Sequence, residues 1–357
     1  LLNNVKNFLK ELTMGGQALK NTITRRYAKQ EYVQLRDEVL DILKRDFPER
    51  KVAAIQAYRA KESFGDLDIL FETDQTNFDL LSYIKQMFKP NEFYKNGNVI
   101  SFDYQQFQID LIGSPREDFD ISSHYFAWND LGNIIGRLYH KMGFKYGHNG
   151  LSLLFKDDNY QYEELCFSKD IEAILGFADL DAKRFLQGFD TLEDIFSFAV
   201  SSQFFNRDIY LLDNRNHASR IRDKKRPTYN ALLKWLESQE HLPAYPWTSV
   251  REQGGRRHQA EFLERAFAYF PHLKPQYEQI QAQFKQWQMA RQKFNGRLVG
   301  ASTGLSEQAL GHFMQWLKAQ AQLEFVDFQK WLAEQPADVI ADWIKQQYQV
   351  YQQPAPQ

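Results

Sequence analysis

Between Glu31 and Phe47 the apolar residues Leu35, Val39, Ile42 and Leu43 recur three and four positions apart, and Pro48 closes the run. That spacing predicts an amphipathic helix over 31–47. The pattern then shortens its period. Val52–Tyr58 and Asp66–Glu72 read as strands, Phe78–Phe88 as a helix that Asn77 can cap, and Val99–Tyr104 and Phe107–Ile112 as two further strands. Mixed helices and strands therefore occupy residues 30–115. Asp130–Met142 is predicted helical, and Leu151–Phe155 can pair with Tyr160–Phe167 across the turn Lys156-Asp157-Asp158-Asn159. From Thr191, where Thr191-Leu192-Glu193-Asp194 fits a capping box ahead of Ile195 and Phe196, only helical patterning follows. Glutamine is frequent after Gln276, yet Trp, Phe and Leu keep helical spacing among the glutamines. The expected class is α+β: a mixed-sheet body, a small α/β lobe and an all-helical remainder.

Composition narrows this without changing it. With 357 residues, 43% hydrophobic and 25% charged, the chain can bury a sizeable core, which excludes a disordered or collagen-like protein. No apolar run approaches the roughly 18 residues of a bilayer span, and the first residues lack a long apolar stretch of the secretory kind. These features predict a soluble, intracellular, cytoplasmic protein with no membrane partner. The single cysteine, Cys166, cannot form an internal bridge or a multi-thiolate metal site, and its apolar neighbours suggest a small buried side chain.

Charge is unevenly spread. The net charge is −2, but residues 211–300 hold 16 basic against 8 acidic residues. The densest run is Arg215, Arg220, Arg222, Lys224, Lys225 and Arg226, interrupted only by Asp223, with Arg256 and Arg257 beside the Gly254-Gly255 pair. Such a run can hold nucleic-acid phosphates, and it can equally be a solvated helix face.

Candidate chemistry concentrates in Arg59-Ala60-Lys61-Glu62-Ser63-Phe64-Gly65-Asp66-Leu67-Asp68-Ile69-Leu70. Asp66 and Asp68 stand two apart on a predicted strand, so their carboxylates leave the same face. Asp110 sits in the apolar strand Phe107–Ile112, where an unpaired charge is costly. Three acids on neighbouring strands make a hard oxygen donor set suited to Mg²⁺, with Mn²⁺ as a substitute. Gly65 frees the backbone beside the first acid, and Arg59 and Lys61 place cations near it. Acids for a metal and bases for phosphate imply phosphoryl chemistry. Two other patterns lack support. Gly300-Ala301-Ser302-Thr303-Gly304 matches the serine-hydrolase elbow, but no strand is predicted ahead of it. His140 and His148 have no second ligand at metal spacing.

Arg59 through Leu70, followed about 40 residues later by Ile109-Asp110-Leu111, resembles the active site of the DNA polymerase β-like nucleotidyltransferase superfamily, most of all the family X polymerases. Downstream, Tyr125-Phe126 precedes Asn133, Arg137 and Lys141-Met142-Gly143-Phe144 in the order of that family's nucleotide-closing subdomain. The similarity covers residues 31–180. It implies a catalytic palm over 30–120 after an N-terminal extension at 1–29, a nucleotide-closing subdomain over 121–188, and a helical, partly basic nucleic-acid-binding domain over 189–357. It further implies that Asp66, Asp68 and Asp110 hold magnesium and carry catalysis. Gln56, Arg59, Ser63, Gly65, Tyr125, Phe126, Asn133 and Arg137 would bind the nucleotide, with Arg137 reaching a template strand. Arg215, Arg220, Arg222, Lys224, Lys225 and Arg226 would hold DNA or RNA. Two departures stand out: Ile55-Gln56 replaces the family's Gly-Ser ahead of the acids, and Trp128-Asn129 replaces the Gly-Ser bend after Tyr-Phe. A distal segment, Phe294–Val299 with Gly304-Leu305 and Ala309–Phe313, is similar to CCA-adding tRNA nucleotidyltransferases. The expected activity is transfer of NMP or dNMP from a nucleoside triphosphate to a nucleic-acid 3′-hydroxyl. Terminal addition to RNA or tRNA and a catalytically silent nucleic-acid-binding module are the alternatives.

Overall fold

The computed structural model of the chain describes residues 16, 18–73, 78–157, 160–247 and 257–353. The first elements are β1 (Tyr27–Ala28), α1 (Lys29–Asp46), β2 (Val52–Ala54), β3 (Ser63–Phe64), β4 (Asp66–Thr73), α2 (Leu80–Met87), β5 (Phe93–Asn96), β6 (Val99–Tyr104) and β7 (Phe107–Pro115). There follow α3 (Phe119–Phe126), α4 (Leu131–Met142), β8 (Lys145–Gly147), β9 (Gly150–Lys156), β10 (Gln161–Ser168), α5 (Ile171–Phe177), α6 (Ala182–Gln187) and α7 (Leu192–Ala199). From there the described residues form helices alone: α8 (His217–Lys224), α9 (Pro227–Glu237), α10 (Arg257–Tyr269), α11 (Lys274–Lys293), α12 (Gly296–Thr303), α13 (Glu307–Glu324), α14 (Phe328–Glu334) and α15 (Ala337–Tyr351), with short 3-10 turns between some of them. The protein is thus mixed α+β, with a five-stranded mixed sheet, a small three-stranded sheet and a mostly helical C-terminal region. No helix among the described residues is long and apolar enough to cross a membrane.

The larger sheet has the order β2-β4-β7-β6-β5, with β4 and β7 parallel and the other pairs antiparallel. Alternation divides its two faces. Leu67, Ile69 and Phe71 of β4, Ile109 and Leu111 of β7 and Ile100 and Phe102 of β6 are buried in one cluster with Tyr32, Leu35, Val39 and Leu43 of α1 and Ile84 of α2. On the other face Leu70 and Ile112 pack against Phe119 of α3. That leaves the N-terminal end of β4 free to carry polar residues, and Asp66 and Asp68 stand there.

Several boundaries differ from those predicted, each for a local reason. Strand β2 stops at Ala54 because the chain leaves the sheet after Ile55, whose N–H still reaches the Asp68 carbonyl at 2.9 Å; the Arg59 and Ala60 amides bond instead to Phe189 and Asp190. Helix α2 is capped by Asp79, whose carboxylate accepts from the Ser82 N–H at 3.1 Å. Asn77 lies outside the described residues, as do Asp158 and Asn159 of the hairpin turn, the Gly254-Gly255 pair, Arg256 and the side chain of Arg257. The capping box of Thr191 and Asp194 forms as predicted. Cys166 is exposed rather than buried: on β10 it falls between buried Leu165 and Phe167, so the period of two turns it outward.

The chain divides into two compact units. One contains the described residues up to Leu153 with Cys166–Tyr269, the other Leu154–Leu165 with the described residues from Phe270 onward. In the second, Phe313 and Leu317 of α13 are buried with Ile340, Trp343 and Ile344 of α15. Gly300–Gly304 forms the last turn of α12 and its left-handed cap, so it builds no strand-to-helix elbow.

Within the first unit α8 is tied to α4 by a buried ion pair. Arg137 donates to Asp223 at 2.6 Å, with side-chain exposures of 5% and 0%. The guanidinium lies over the Tyr229 ring at 4.6 Å, and Arg215 and Arg222 approach the same carboxylate at 3.5 Å. Burial pushes the Asp223 carboxyl up, but the Arg137 bond and the surrounding arginine charges outweigh it and hold the group below its ordinary range. The single acid in the basic run is therefore its anchor. Because Arg137 Nε and Nη1 find no partner, Asp223→Leu is expected to cost about 3–5 kcal/mol of stability in urea unfolding, while Arg137→Met with Asp223→Leu recovers most of that loss. Additive losses in the double variant would contradict a coupled buried pair.

Candidate active site

The parallel pairing of β4 and β7 sets Asp68 opposite Asp110 and Asp66 opposite Gln108. Neighbouring strands lie about 4.8 Å apart, so registered side chains on one face are adjacent. Strand β6 adds Ser101 opposite Asp110. The Gln108 amide donates to both Asp110 carboxylate oxygens at 3.0 Å, and its own oxygen accepts from the Ala18 N–H at 3.0 Å. Gly16 touches the same amide so closely that an added Cβ would fall 2.4 Å from Gln108 Cδ.

The electrostatics follow from crowding like charges in a half-buried place. Desolvation pushes the Asp68 carboxyl well up, and the charges of Asp66 and Asp110 push it further. Asp66 is raised chiefly by burial, against the pull of Lys61 and Arg26. Asp110 is pushed up to about 6 by burial and the Asp66 charge, although Ser101 and Gln108 bond to it. Lys61 answers in the opposite sense: burial lowers its pKa while Asp66 and Asp68 hold it up. Burial and mutual repulsion thus outweigh the pull of the nearby cations on Asp66 and Asp68.

Asp66 and Asp68 open into a pocket of about 410 Å³, whose walls also carry Asp130, Lys61, Lys225 and Arg226. Phe126 and Gln56 line it too, and the Gln56 carbonyl accepts from the Trp128 N–H at 2.7 Å. Trp128 and Asn129, where the resembling family bends at Gly-Ser, both take φ near +61°. For residues with a Cβ this costs about 1–2 kcal/mol each. The Trp128 ring meets Phe189 edge-on at 5.5 Å and fills the space beside Gly188, where a Cβ would lie 2.6 Å from the indole.

Other predicted residues lie elsewhere. Arg59 turns from the acids to Asp190 at 2.7 Å and to the Gln187 carbonyl, so its fork is already engaged. The Ser63 hydroxyl accepts from Arg26 at 2.9 Å, and the Gly65 carbonyl accepts from the Gly16 N–H at 2.5 Å. Tyr125 is half-buried, with Phe126 and Tyr146 edge-on to its ring. Asn133 donates to Asp130 at 3.2 Å. Arg137, expected at a template strand, is buried against Asp223 and does not reach the surface. Of the basic run, Arg222, Lys224 and Lys225 are exposed, Arg220 and Arg226 are partly so, and Arg215 is drawn toward Asp223.

No family model matches the chain, and no curated protein is recognisably similar to it. Asp66, Asp68 and Asp110 offer hard oxygen donors, which is the chemistry that magnesium selects. The in-register pairing sets Asp68 beside Asp110, and the charges of Asp66 and Asp110 both raise the Asp68 carboxyl. Among the described residues, no three acid, histidine or cysteine side chains are gathered closely enough to hold a metal ion. The Gln108 amide holds both oxygens of Asp110.

Sequence reasoning passed over three contributors. Tyr32 lines the pocket and has its hydroxyl pKa raised by burial and by Asp68, yet it belongs to the same helical stripe as Leu35 and Val39. Gln108 and Asp130 carried no motif. Alternation two residues before Asp110 could have flagged Gln108.

A like-charge cluster is destabilising until neutralised. A carboxyl whose pKa is raised on folding disfavours the fold above its unfolded pKa, and the penalty disappears as pH falls below that value. In metal-free buffer Asp68→Asn is therefore expected to gain about 1–2 kcal/mol at pH 8 in urea unfolding, with the gain fading toward pH 4. A loss at pH 8 would show that the three carboxylates do not repel one another.

Proposed function

We propose that the protein is a magnesium-dependent nucleotidyltransferase of the DNA polymerase β-like kind, with β2, β4–β7 and their helices as its palm. The observation that carries this reading is the registered pair Asp68 and Asp110, with Asp66 two residues earlier on the same face, beside a pocket that also presents Lys61, Lys225 and Arg226. In the reaction the 3′-oxygen of a nucleic acid attacks the α-phosphorus of a nucleoside triphosphate. The bond between α-phosphorus and bridging oxygen breaks and pyrophosphate leaves.

Magnesium held by Asp66, Asp68 and Asp110 would neutralise charge on the phosphates and acidify the attacking hydroxyl. The chain's own groups do the rest. Asp110, set beside Asp68 by the strand pairing, would accept the hydroxyl proton and pass it to solvent. Lys61, Lys225 and Arg226 offset the charge leaving with pyrophosphate, and Phe126 offers an apolar surface to the nucleoside. Ser63 and Arg59 are engaged elsewhere in the free protein and take no part in this arrangement.

A second reading, terminal addition to RNA or tRNA, is favoured by one observation: the residue that resembled a template contact, Arg137, is buried in an ion pair. Templated synthesis loses its strongest sequence support on that account. A silent binding module would have no use for three crowded carboxylates, whose burial works against stability.

Incubating the protein with Mg²⁺, each labelled NTP and dNTP, and single-stranded, primed or tRNA-like oligonucleotides tests both readings by product length. Extension without regard to template is expected, and Asp68→Asn should abolish it, a loss of at least about 1,000-fold, while the circular dichroism spectrum is kept. Extension matched to a template would restore the polymerase reading, and retained turnover in Asp68→Asn would remove the acids from the chemistry.

A further inference from the structure

Lys225 and Arg226 are the last two members of the basic run, and they part from the rest of it in space. They line the same pocket as Asp66 and Asp68, whereas Arg220, Arg222 and Lys224 do not. Their placement is built rather than incidental. Asp223 is held by Arg137, and the Lys225 and Arg226 amides bond back to Arg222 and Asp223 at 3.2 and 3.1 Å. Asn230 clasps the Lys224 carbonyl at 2.9 Å, and Pro227 then starts α9. Lys61 approaches the pocket from the other side of the sequence, its ammonium 4.7 Å from the centre of the Phe64 ring.

Three cations in one pocket suit a compact polyanion better than an extended nucleic-acid backbone, which spreads its charges along a strand. Arg226, moreover, is not idle. It is paired with Asp130, whose Oδ1 also accepts from Asn133, while Asp130 Oδ2 is buried without any hydrogen-bond donor. Displacing that carboxylate from Arg226 leaves it only Asn133, so the incoming anion must carry more charge than a single carboxylate, as a polyphosphate does.

We infer that Lys61, Lys225 and Arg226 form the site for the β- and γ-phosphates of the nucleotide, and that Asp130 is the resident anion these phosphates displace from Arg226. This deepens the nucleotidyltransferase reading and rests on it for the identity of the ligand. It reassigns Lys225 and Arg226 from the nucleic acid to the nucleotide, and leaves Arg220, Arg222 and Lys224 for the nucleic-acid backbone. Asp130 acts through Arg226 and is a positioning residue.

The test uses the full chain and inorganic tripolyphosphate in magnesium buffer, read by titration calorimetry, alongside the KM for nucleotide. Lys225→Ala should weaken tripolyphosphate binding about tenfold, the worth of one charge-assisted contact. Its exposed neighbour serves as a charge-matched control: Lys224→Ala should leave that affinity unchanged. Asp130→Asn should tighten it by a similar factor, because Arg226 is released. Equal weakening by Lys224→Ala and Lys225→Ala, or no tripolyphosphate binding at all, overturns the inference. So does a weaker affinity in Asp130→Asn. Selective binding without any nucleotide incorporation would uphold the polyphosphate site and defeat the transferase reading. Incorporation with an unchanged nucleotide KM in Lys225→Ala would do the reverse.

Discussion

The parallel register of β4 with β7 is the constraint on which the rest depends. It sets Asp68 beside Asp110, and the strand period puts Asp66 on the same side. The same alternation sends Leu67, Ile69, Ile109 and Leu111 to the opposite face, where α1 and α2 cover them. A slip of one residue would bury the carboxylates among those apolar side chains and expose the core to water. Hydrophobic burial on one face therefore holds a cluster on the other that would not assemble by itself. Stability and site are two faces of one register.

The second dependence is the buried contact of Arg137 with Asp223. It converts a run of basic residues, which would repel one another along α8, into a structured junction with a defined end. Three guanidinium groups approach one carboxylate, and the chain turns there from α8 into α9. The basic run is thereby divided by position, with its last two members beside the acids and its exposed middle outside the pocket. Neither fact is visible in net charge.

Much of the fold was legible because it rests on local periodicity. The helix at 29–46, the strands at 66–73, 99–104 and 107–115, and the capping box at Thr191 all followed from spacing and end signals. Less legible were the strand Phe93–Asn96, whose residues are all exposed and so lack an alternating pattern, and α3, where Tyr125 and Phe126 sit in a short half-buried helix. Asp66 and Asp68 were readable from strand phase, since residues two apart must share a face, whereas Asp110 comes beside them through the pairing of β4 with β7. Arg59 and Arg137 were not placed by phase. Whether an arginine meets solvent or a buried carboxylate depends on residues 131 and 86 positions away, Asp190 and Asp223, and no local pattern encodes that. The lining role of Lys225 and Arg226 depends likewise on how α8 docks on α4. Asp130 escaped notice because only its partner, Arg226, gives it a role.

The most direct measurement of the central claim is a manganese titration of the full chain followed by electron paramagnetic resonance, compared with Asp66→Asn and Asp110→Asn variants. The account predicts saturable binding by the natural chain and marked weakening in both variants, with magnesium competing for the same ions. Manganese binding that is absent, or is indifferent to either substitution, would contradict a site built from carboxylates on two registered strands.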